Sequence, residues 1–300
     1  MGNLVIEEPT RAQVLAMADG LLAAKQYGLA ARLYRTALAG QSGDHTLGAR
    51  VRMGLAAAPS VQTPALVAGL EALEAGVPKV FVGAGLATWQ KTLPFLEDAR
   101  FVELADRHAD LLPLPNWHWN LQTALWAAQT ALSVDGDFVE LGVFRGHTTM
   151  FLAEYLGFAT SPKTWFLYDT FEGIPADQVA PGWDLINEGL YRGTYSFEEV
   201  QERFAAYPNI RVIKGRVPEA LSPPPSNKIA FLHIDMNNPA AEVAALDLLF
   251  ERVTSGGVIL LDDYCWDSAR AQYDAEKAWF DARNLKVLPL PTGQGLFVKP

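Results

Sequence analysis

The 300-residue chain reads as an α/β protein: a mostly parallel sheet covered on both faces, closed by an antiparallel hairpin and preceded by a small α-helical region. Three observations predict this class. Short, continuous apolar runs alternate with helix-period stretches between residues 137 and 283, as strands buried on both faces do. Leu285–Leu288 and Leu296–Lys299 are joined only by Pro289–Gly295, too short for a crossover helix, so these two strands must pair antiparallel. Half of the residues are hydrophobic and 19% are charged, enough apolar material for one large domain or two ordinary ones.

The elements follow in order. Val14, Met17, Ala18 and Leu21 share one helical face, and Ala30, Tyr34 and Ala37 have the small–aromatic–small spacing of a tetratricopeptide (TPR-like) hairpin. Arg50–Ala58 and Ala65–Ala75 read as a degenerate continuation, although a generic helical hairpin accounts for the same spacing. One repeat cannot bury a core alone, so these helices are expected to pack on the rest of the chain or on another copy, as a homo-oligomer. Gly76-Val77-Pro78 ends the run, and a helix is expected around Leu86–Glu97. Leu112-Pro113-Leu114-Pro115 then divides a helical region, 1–112, from an α/β domain, 113–300. Strands are expected at Asp137–Gly142, Thr164–Asp169, Ile210–Lys214, Ile229–Ile234 and Val258–Asp262, and helices at His147–Leu156, Pro239–Arg252 and Ser268–Arg283.

Composition excludes several classes. The net charge of −10 is wrong for a nucleic-acid coat, which needs a basic face. Residues 1–115 hold 10 Lys/Arg and 11 Asp/Glu, and residues 116–300 hold 14 and 23, so the acidic excess lies in the C-terminal part. That excess serves solubility or a cationic ligand. No apolar run approaches a membrane span, and acids stand at Glu7 and Glu8 where a signal peptide would be basic and then apolar. Cys265 is the single cysteine and cannot form an internal disulfide; the expected compartment is the cytoplasm.

Ligands of open α/β sheets bind beyond the carboxyl ends of the strands. The first of the five strands ends Glu140-Leu-Gly142-Val-Phe-Arg-Gly146-His-Thr148-Thr149, which is not the Gly-x-Gly-x2-Gly of a pyrophosphate cradle. Its glycines would let backbone approach a ligand, and a carboxylate there repels phosphate but suits an ammonium or sulfonium. The second strand ends in Asp169, 27 residues after Gly142, placed to accept hydrogen bonds from ribose hydroxyls. Together they favour an adenosine ligand without phosphates, S-adenosylmethionine over NAD. The fourth strand ends His233-Ile-Asp235 and the fifth ends Leu261-Asp262-Asp263-Tyr264. Three carboxylates at neighbouring strand mouths suit a hard divalent cation, Mg²⁺ or Ca²⁺. The competing reading makes Asp262 and Asp263 helix caps and leaves Asp235 to touch the cofactor.

Val139–Gly146, Asp169-Thr-Phe-Glu-Gly-Ile-Pro175, Val212-Ile-Lys-Gly215, His233-Ile-Asp235 and Gly256–Tyr264, taken in that order, resemble the macrocin O-methyltransferase family. Its members are class I S-adenosylmethionine-dependent enzymes that methylate sugar hydroxyls. The resemblance covers about residues 117–300 and implies a Rossmann-like seven-stranded mixed sheet. It further implies cofactor at Glu140, Gly142, Asp169 and near Gly215 and Arg216, with Gly146, Thr148 and Phe171 completing the candidate set. It implies a divalent cation, Mg²⁺ for most members, on Asp235, Asp262 and Asp263. The expected activity is methylation of a hydroxyl on a sugar or glycosylated small molecule. The same carboxylates would serve a catechol-type acceptor, and an inactive methyltransferase-like scaffold is the non-enzymatic alternative.

One departure bears on mechanism. Family members resemble His-Ile-Asp-Gly-Asp, whose second Asp is the proposed base, whereas this chain reads His233-Ile-Asp235-Met-Asn237. An amide cannot take a proton at neutral pH. The cation with solvent, His118 or His147 could fill the role, with Asp235 and His118 as the catalytic candidates; a different acceptor is the other explanation. Trp183, Tyr191, Tyr195, Tyr264 and Trp266 could line a sugar site, and Pro181–Tyr195 could form a lid. Pro223–Pro225 reads as a stiff loop, and Cys265 lacks a partner base.

Overall fold

The structure is a computed structural model describing residues 80–112, 116–180, 183 and 186–300. The helices expected between residues 1 and 79, with the Ala30/Tyr34/Ala37 spacing and any oligomer contacts they make, lie outside the described residues. The chain divides into two compact units, 1–92 and 93–300. The division falls ahead of the Leu112–Pro115 stretch.

In the first unit, β1 (Val80–Gly83) and β2 (Leu86–Trp89) form an antiparallel hairpin where the sequence suggested the start of a helix. Ala84 and Gly85 both take positive φ, +49° and +71°, the geometry of a two-residue turn matched to strand twist. Turn chemistry therefore overrides the helix expected from Leu86 onward. Only the end of that expected helix is helical, as α1 (Pro94–Glu97) in the second unit.

The second unit continues with α2 (Ala99–Arg107), capped by Asp98, and α3 (His118–Leu132). Then follow β3 (Asp137–Leu141), α4 (His147–Leu156), β4 (Trp165–Asp169), a π-helical turn (Asn187–Tyr191) and α5 (Phe197–Arg203). The remainder is β5 (Ile210–Lys214), β6 (Ile229–Ile234), α6 (Pro239–Leu249), β7 (Val253–Leu261), α7 (Arg270–Asp281), β8 (Leu288–Pro289) and β9 (Gly295–Val298). The sheet order is β5-β4-β3-β6-β7-β9-β8, parallel through β7 and antiparallel for the last two. This is the expected seven-stranded mixed sheet.

Boundaries differ in two places. β7 begins five residues earlier than expected, at Val253, because a register shift on its β6 pairing absorbs Gly256 at φ +82°. β8 is two residues, Leu288–Pro289, shorter than the expected Leu285–Leu288 and ending one residue later.

Alternate strand residues serve the two faces. Val139, Leu141, Leu232, Ile234, Ile259 and Leu261 bury against Ala241, Ala245, Leu246 and Leu249 of α6 and Trp279 and Phe280 of α7. On the other face Phe138, Trp165 and Phe231 form an edge-to-face aromatic cluster with Phe158. Glu140 and His233, one residue along their strands from Val139 and Leu232, face this second side.

A buried acid pair lies between α6 and α7. Glu242 and Glu276 are fully buried without a basic partner among the described residues, and Glu242 accepts the backbone N–H of Met236 at 3.0 Å. Burial raises both carboxyls, Glu276 to about 8. Both therefore stay protonated in the fold at a pH where the unfolded chain has released its protons. Stability is present at acid pH and is lost as pH climbs from about 4.5 towards about 8, with each unmatched proton contributing about 1.4 kcal/mol per pH unit. Glu276→Gln should flatten that fall and leave the variant more stable than the parent at the alkaline end. Urea unfolding at several pH values across the window checks this, and an unchanged slope in the variant contradicts it.

Candidate functional site

The site is built where β3, β6 and β7 end side by side. The ladder runs one residue past each strand: Gly142 N–H donates to Tyr168 O at 2.8 Å, Asp235 N–H to Leu141 O at 2.8 Å and Asp262 N–H to Ile234 O at 2.9 Å. Gly142, Asp235 and Asp262 thus emerge level with one another. Gly142 has φ +86°, and a Cβ there would stand 1.8 Å from the Asp235 carbonyl oxygen, so glycine allows two strand ends to cross. Gly146, at φ +79°, makes room for the Phe204 ring. At both positions a side chain would collide with the protein's own groups.

The Gly142–Gly146 loop is closed by Asp169. Its Oδ2 accepts the N–H groups of Val143 and Phe144 at 2.8 and 2.9 Å, and its Oδ1 accepts Phe171 N–H at 2.7 Å and the Tyr195 hydroxyl at 3.1 Å. A carboxylate has about four acceptor positions, and all are used. Asp169 therefore shapes the loop, and of its partners only the Tyr195 hydroxyl is a side-chain group. Phe171, at φ +56°, is buried against Tyr195 and Phe197. Beyond β5, Gly215 N–H donates to Asp169 O at 2.9 Å, whereas the Arg216 guanidinium turns outward into a bidentate pair with Asp177. Thr148 is half-buried at the start of α4.

His233 joins the two halves of the site. Its Nδ1 lies 3.2 Å from Glu140 Oε1, and its Nε2 lies 3.6 Å from Asp262 Oδ1, an ion-pair separation beyond hydrogen-bond reach. Glu140 also accepts the Thr149 hydroxyl. Burial opposes charge on His233, but the carboxylates of Asp262 and Glu140 outweigh it and hold the imidazolium well above the usual histidine range. Burial raises Glu140 in turn, against the pull of His233. Neither Thr149 nor the bridging role of His233 was legible without the β3–β6 register.

Beyond His233, Asp235, Asp262 and Asp263 cluster electrostatically. Burial, followed by the repulsion of Asp262 and Asp263, pushes Asp235 well above the ordinary carboxyl range. Asp263 is raised by burial and then by Asp262 and Glu242. Among the described residues no lysine or arginine pairs with these three carboxylates. Asp262 Oδ1 also accepts Gln294 Nε2–H at 2.7 Å, a contact the sequence reading missed. Asn237, at φ +56°, donates Nδ2–H to Asp235 Oδ1 at 3.2 Å, so its amide orients that carboxylate. As a donor set, three carboxylates that repel one another fit a hard cation. As they stand, no three His, Cys, Asp or Glu side chains among the described residues form a group ready to hold one.

The histidines separate. The His118 ring packs against Phe95 and Phe101, with centroids 5.5 and 6.0 Å away, in the helical layer. His147 is buried, and burial followed by His108 lowers it to about 4 against the opposing charges of Asp110 and Asp262, so it is neutral at pH 7. Among the aromatics, Tyr264 is buried on Tyr273 and acts as a packing anchor. Trp266 stacks on Trp117, at 6.2 Å with planes 1° apart, and Trp183 donates its indole N–H to Ser268 O at 3.0 Å. Tyr191 and Tyr195 pack edge-on against Phe144 of the glycine loop, bringing the Asn187–Tyr195 segment over it. Burial, followed by the charges of Asp235, Asp263, Asp262 and Asp169, raises the Tyr191 hydroxyl well above its normal range. It therefore sits in the field of both acid groups. Cys265 is an exposed free thiol.

The family model for macrocin-O-methyltransferase (TylF) matches residues 119–290, more than half of the chain and every strand of the main sheet except β9. The chain is 29% identical over 163 residues to 8-demethyl-8-(2,3-dimethoxy-alpha-L-rhamnosyl)-tetracenomycin-C 4'-O-methyltransferase of Streptomyces olivaceus, covering 50% of this chain and 61% of that protein. It is 27% identical over 148 residues to Mycinamicin III 3''-O-methyltransferase of Micromonospora griseorubida, covering 46% and 58%. The chain thus spans about three-fifths of the length of these relatives. The solved structure of the O-methyltransferase NovP superposes with a TM-score of 0.52 at 21% identity, over 60% of this chain and 79% of that one, and establishes the class I methyltransferase fold. No described helix is long and apolar enough to cross a membrane.

The ion-pair bridge predicts a stability effect. His233→Leu strips Glu140 of its charged partner and should lower unfolding free energy by roughly 3–5 kcal/mol at neutral pH. Urea denaturation measures it. A loss below about 1 kcal/mol would mean that Glu140 and His233 are not ionised as a pair in the native state.

Proposed function

The chain belongs to the macrocin O-methyltransferase family, and from that premise we propose that it transfers the methyl group of S-adenosylmethionine to a hydroxyl of a sugar-bearing small molecule. The observation that carries the reading is the meeting, at adjacent strand ends, of the Asp169-closed glycine loop with the carboxylates of Asp235, Asp262 and Asp263. The first relative is named for a rhamnosyl-bearing acceptor, which supports a sugar as the methylated group here.

In this reading the glycine loop, Glu140 and Thr148 face the methionine half of the cofactor. Asp169 faces its ribose, where the Tyr195 hydroxyl, at 3.1 Å, is the partner a ribose hydroxyl would replace. Phe171 and Gly215 flank the adenine side, and Arg216 braces that edge through Asp177. The net negative crevice favours a sulfonium over a phosphate-bearing nucleotide. A hard divalent cation such as Mg²⁺, held by Asp235, Asp262 and Asp263, would supply the acidity that lets a sugar hydroxyl give up its proton.

The chain's own groups do the positioning. Asn237 cannot accept a proton and instead fixes Asp235. His147, lowered to about 4, is a weak base, and His118 belongs to the aromatic layer, so the proton leaves to water. Tyr191 and Trp266 offer flat faces to a sugar ring, and the Asn187–Tyr195 segment keeps water from the donor. The sulfonium is already activated, so alignment supplies most of the acceleration.

Calorimetry with S-adenosylmethionine, followed by mass spectrometry of glycosylated and catechol acceptors, tests the reading. Asp262→Ala should abolish turnover yet keep cofactor affinity within about tenfold. Chelator treatment should stop the parent and Mg²⁺ should restore it. Absence of cofactor binding leaves an inactive scaffold, and methylation of catechols alone moves the acceptor class. Equal turnover by parent and variant in chelator removes the carboxylate cluster from the chemistry.

A further inference from the structure

Gln294 stands where strand pairing must put a neighbour of Asp262. β9 runs antiparallel to β7 with Leu261 opposite Gly295, so the next step of the ladder brings Asp262 and Gln294 together. Gln294 is 1% exposed, and its Nε2–H donates to Asp262 Oδ1 at 2.7 Å. The amide is itself held: the Thr292 hydroxyl lies 3.0 Å from Gln294 Oε1 and donates to it, and Asn120 Nδ2–H of α3 donates to the Thr292 carbonyl at 3.2 Å. Thr292 and Asn120 are buried as well. A carboxylate only accepts, and the Thr292 hydroxyl satisfies the amide oxygen, so the orientation of the Gln294 amide follows from the network.

The consequence lies at Asp262. Oδ1 is taken by Gln294 on one side and faces His233 Nε2 at 3.6 Å on the other. No hydrogen bond among the described residues reaches Oδ2. We propose that Gln294 is a positioning residue for methyl transfer: it locks the Asp262 carboxylate so that Oδ2 alone faces the acceptor side, with Thr292 and Asn120 as its supports. The proposal rests on the methyltransferase reading for its kinetic consequence but not for its structural one. Through Asp262, His233 and Glu140 the same buried chain reaches Thr149 behind the glycine loop. The acceptor carboxylate and the donor cradle are therefore braced as one unit. Partners of this kind typically matter by 10–100-fold in activity.

The test compares Gln294→Leu and Thr292→Val with the parent. Gln294→Leu should lower kcat by about 10–100-fold with cofactor Kd within about twofold, and Thr292→Val should lower it by a smaller factor in the same direction. Crystal structures of parent and Gln294→Leu supply a readout independent of turnover: one Asp262 rotamer in the parent and more than one in the variant. Should Gln294→Leu fail to fold, Thr292→Val carries the same two readouts. Parent and variants with equal kcat and the same single Asp262 rotamer would overturn the proposal. A parent that methylates no acceptor defeats the functional reading, while the rotamer comparison still decides the role of Gln294.

Discussion

The organisation of this site depends on one buried charge, the imidazolium of His233 between Glu140 and Asp262. The three residues come from three adjacent strands, and their levels are set by the backbone ladder: Glu140 is paired with His233, and Asp262 follows the Ile234–Leu261 pair. Desolvation works against the charges of His233 and Glu140, so each depends on its neighbours. Without the cation, Glu140 would be a buried acid beside Thr149 alone, and Asp262 would add its repulsion to that of Asp235 and Asp263. The sheet register therefore fixes the charge state of the site as well as its shape.

The remaining imbalance points the same way. Asp235 and Asp263 are raised by burial and then by the repulsion of Asp262 and have no lysine or arginine partner among the described residues, while a single imidazolium is shared by Glu140 and Asp262. A crevice of this sign concentrates cations. Asn237 carries no charge and spends its amide on Asp235 Oδ1 as a fixed hydrogen-bond donor. The loop that carries it is held on both sides: Met236 N–H reaches Glu242, and Asn238 caps α6 through the N–H groups of Ala240 and Ala241. Asp235 is accordingly presented by a rigid turn.

Much of this was legible in sequence, because fully buried strands carry no competing signal. Ile229–Ile234, buried at every position, begins and ends where its apolar run places it, and the less buried Ile210–Lys214 and the helix His147–Leu156 also match their expected bounds. The antiparallel ending followed from the length of Pro289–Gly295 alone. The hairpin at Val80–Trp89 was read partly as helix because its turn uses Ala84 at positive φ, a conformation that an alanine does not advertise. The strand-end acids were found by their place in the pattern, but their partners were not. Thr149 is nine residues from Glu140, His233 is 93 residues from it, and Gln294 is 32 residues from Asp262. Such pairs are visible only once register is known. At the two glycines of the first loop a side chain would meet the Asp235 carbonyl and the Phe204 ring, neighbours that only the fold reveals.

The antiparallel edge has a structural purpose that a further parallel strand could not serve. In a parallel sheet every strand leaves the carboxyl end, so each contributes an outgoing loop whose conformation the following helix must determine. β9 instead enters at that end, and the residues just before it are held by ladder pairing with β7 from their first step. Gln294 gains its precision from this direction of travel. The same entry turn packs tightly against the Asp262–Trp266 segment: a Cβ on Gly293 would meet the Trp266 indole at 2.2 Å, and one on Gly295 would meet the Tyr264 ring at 2.6 Å. Two glycines thus let a strand start lie flat on the acidic segment, so that Asp262 is braced from the sheet edge while Trp266 remains at the rim, stacked on Trp117.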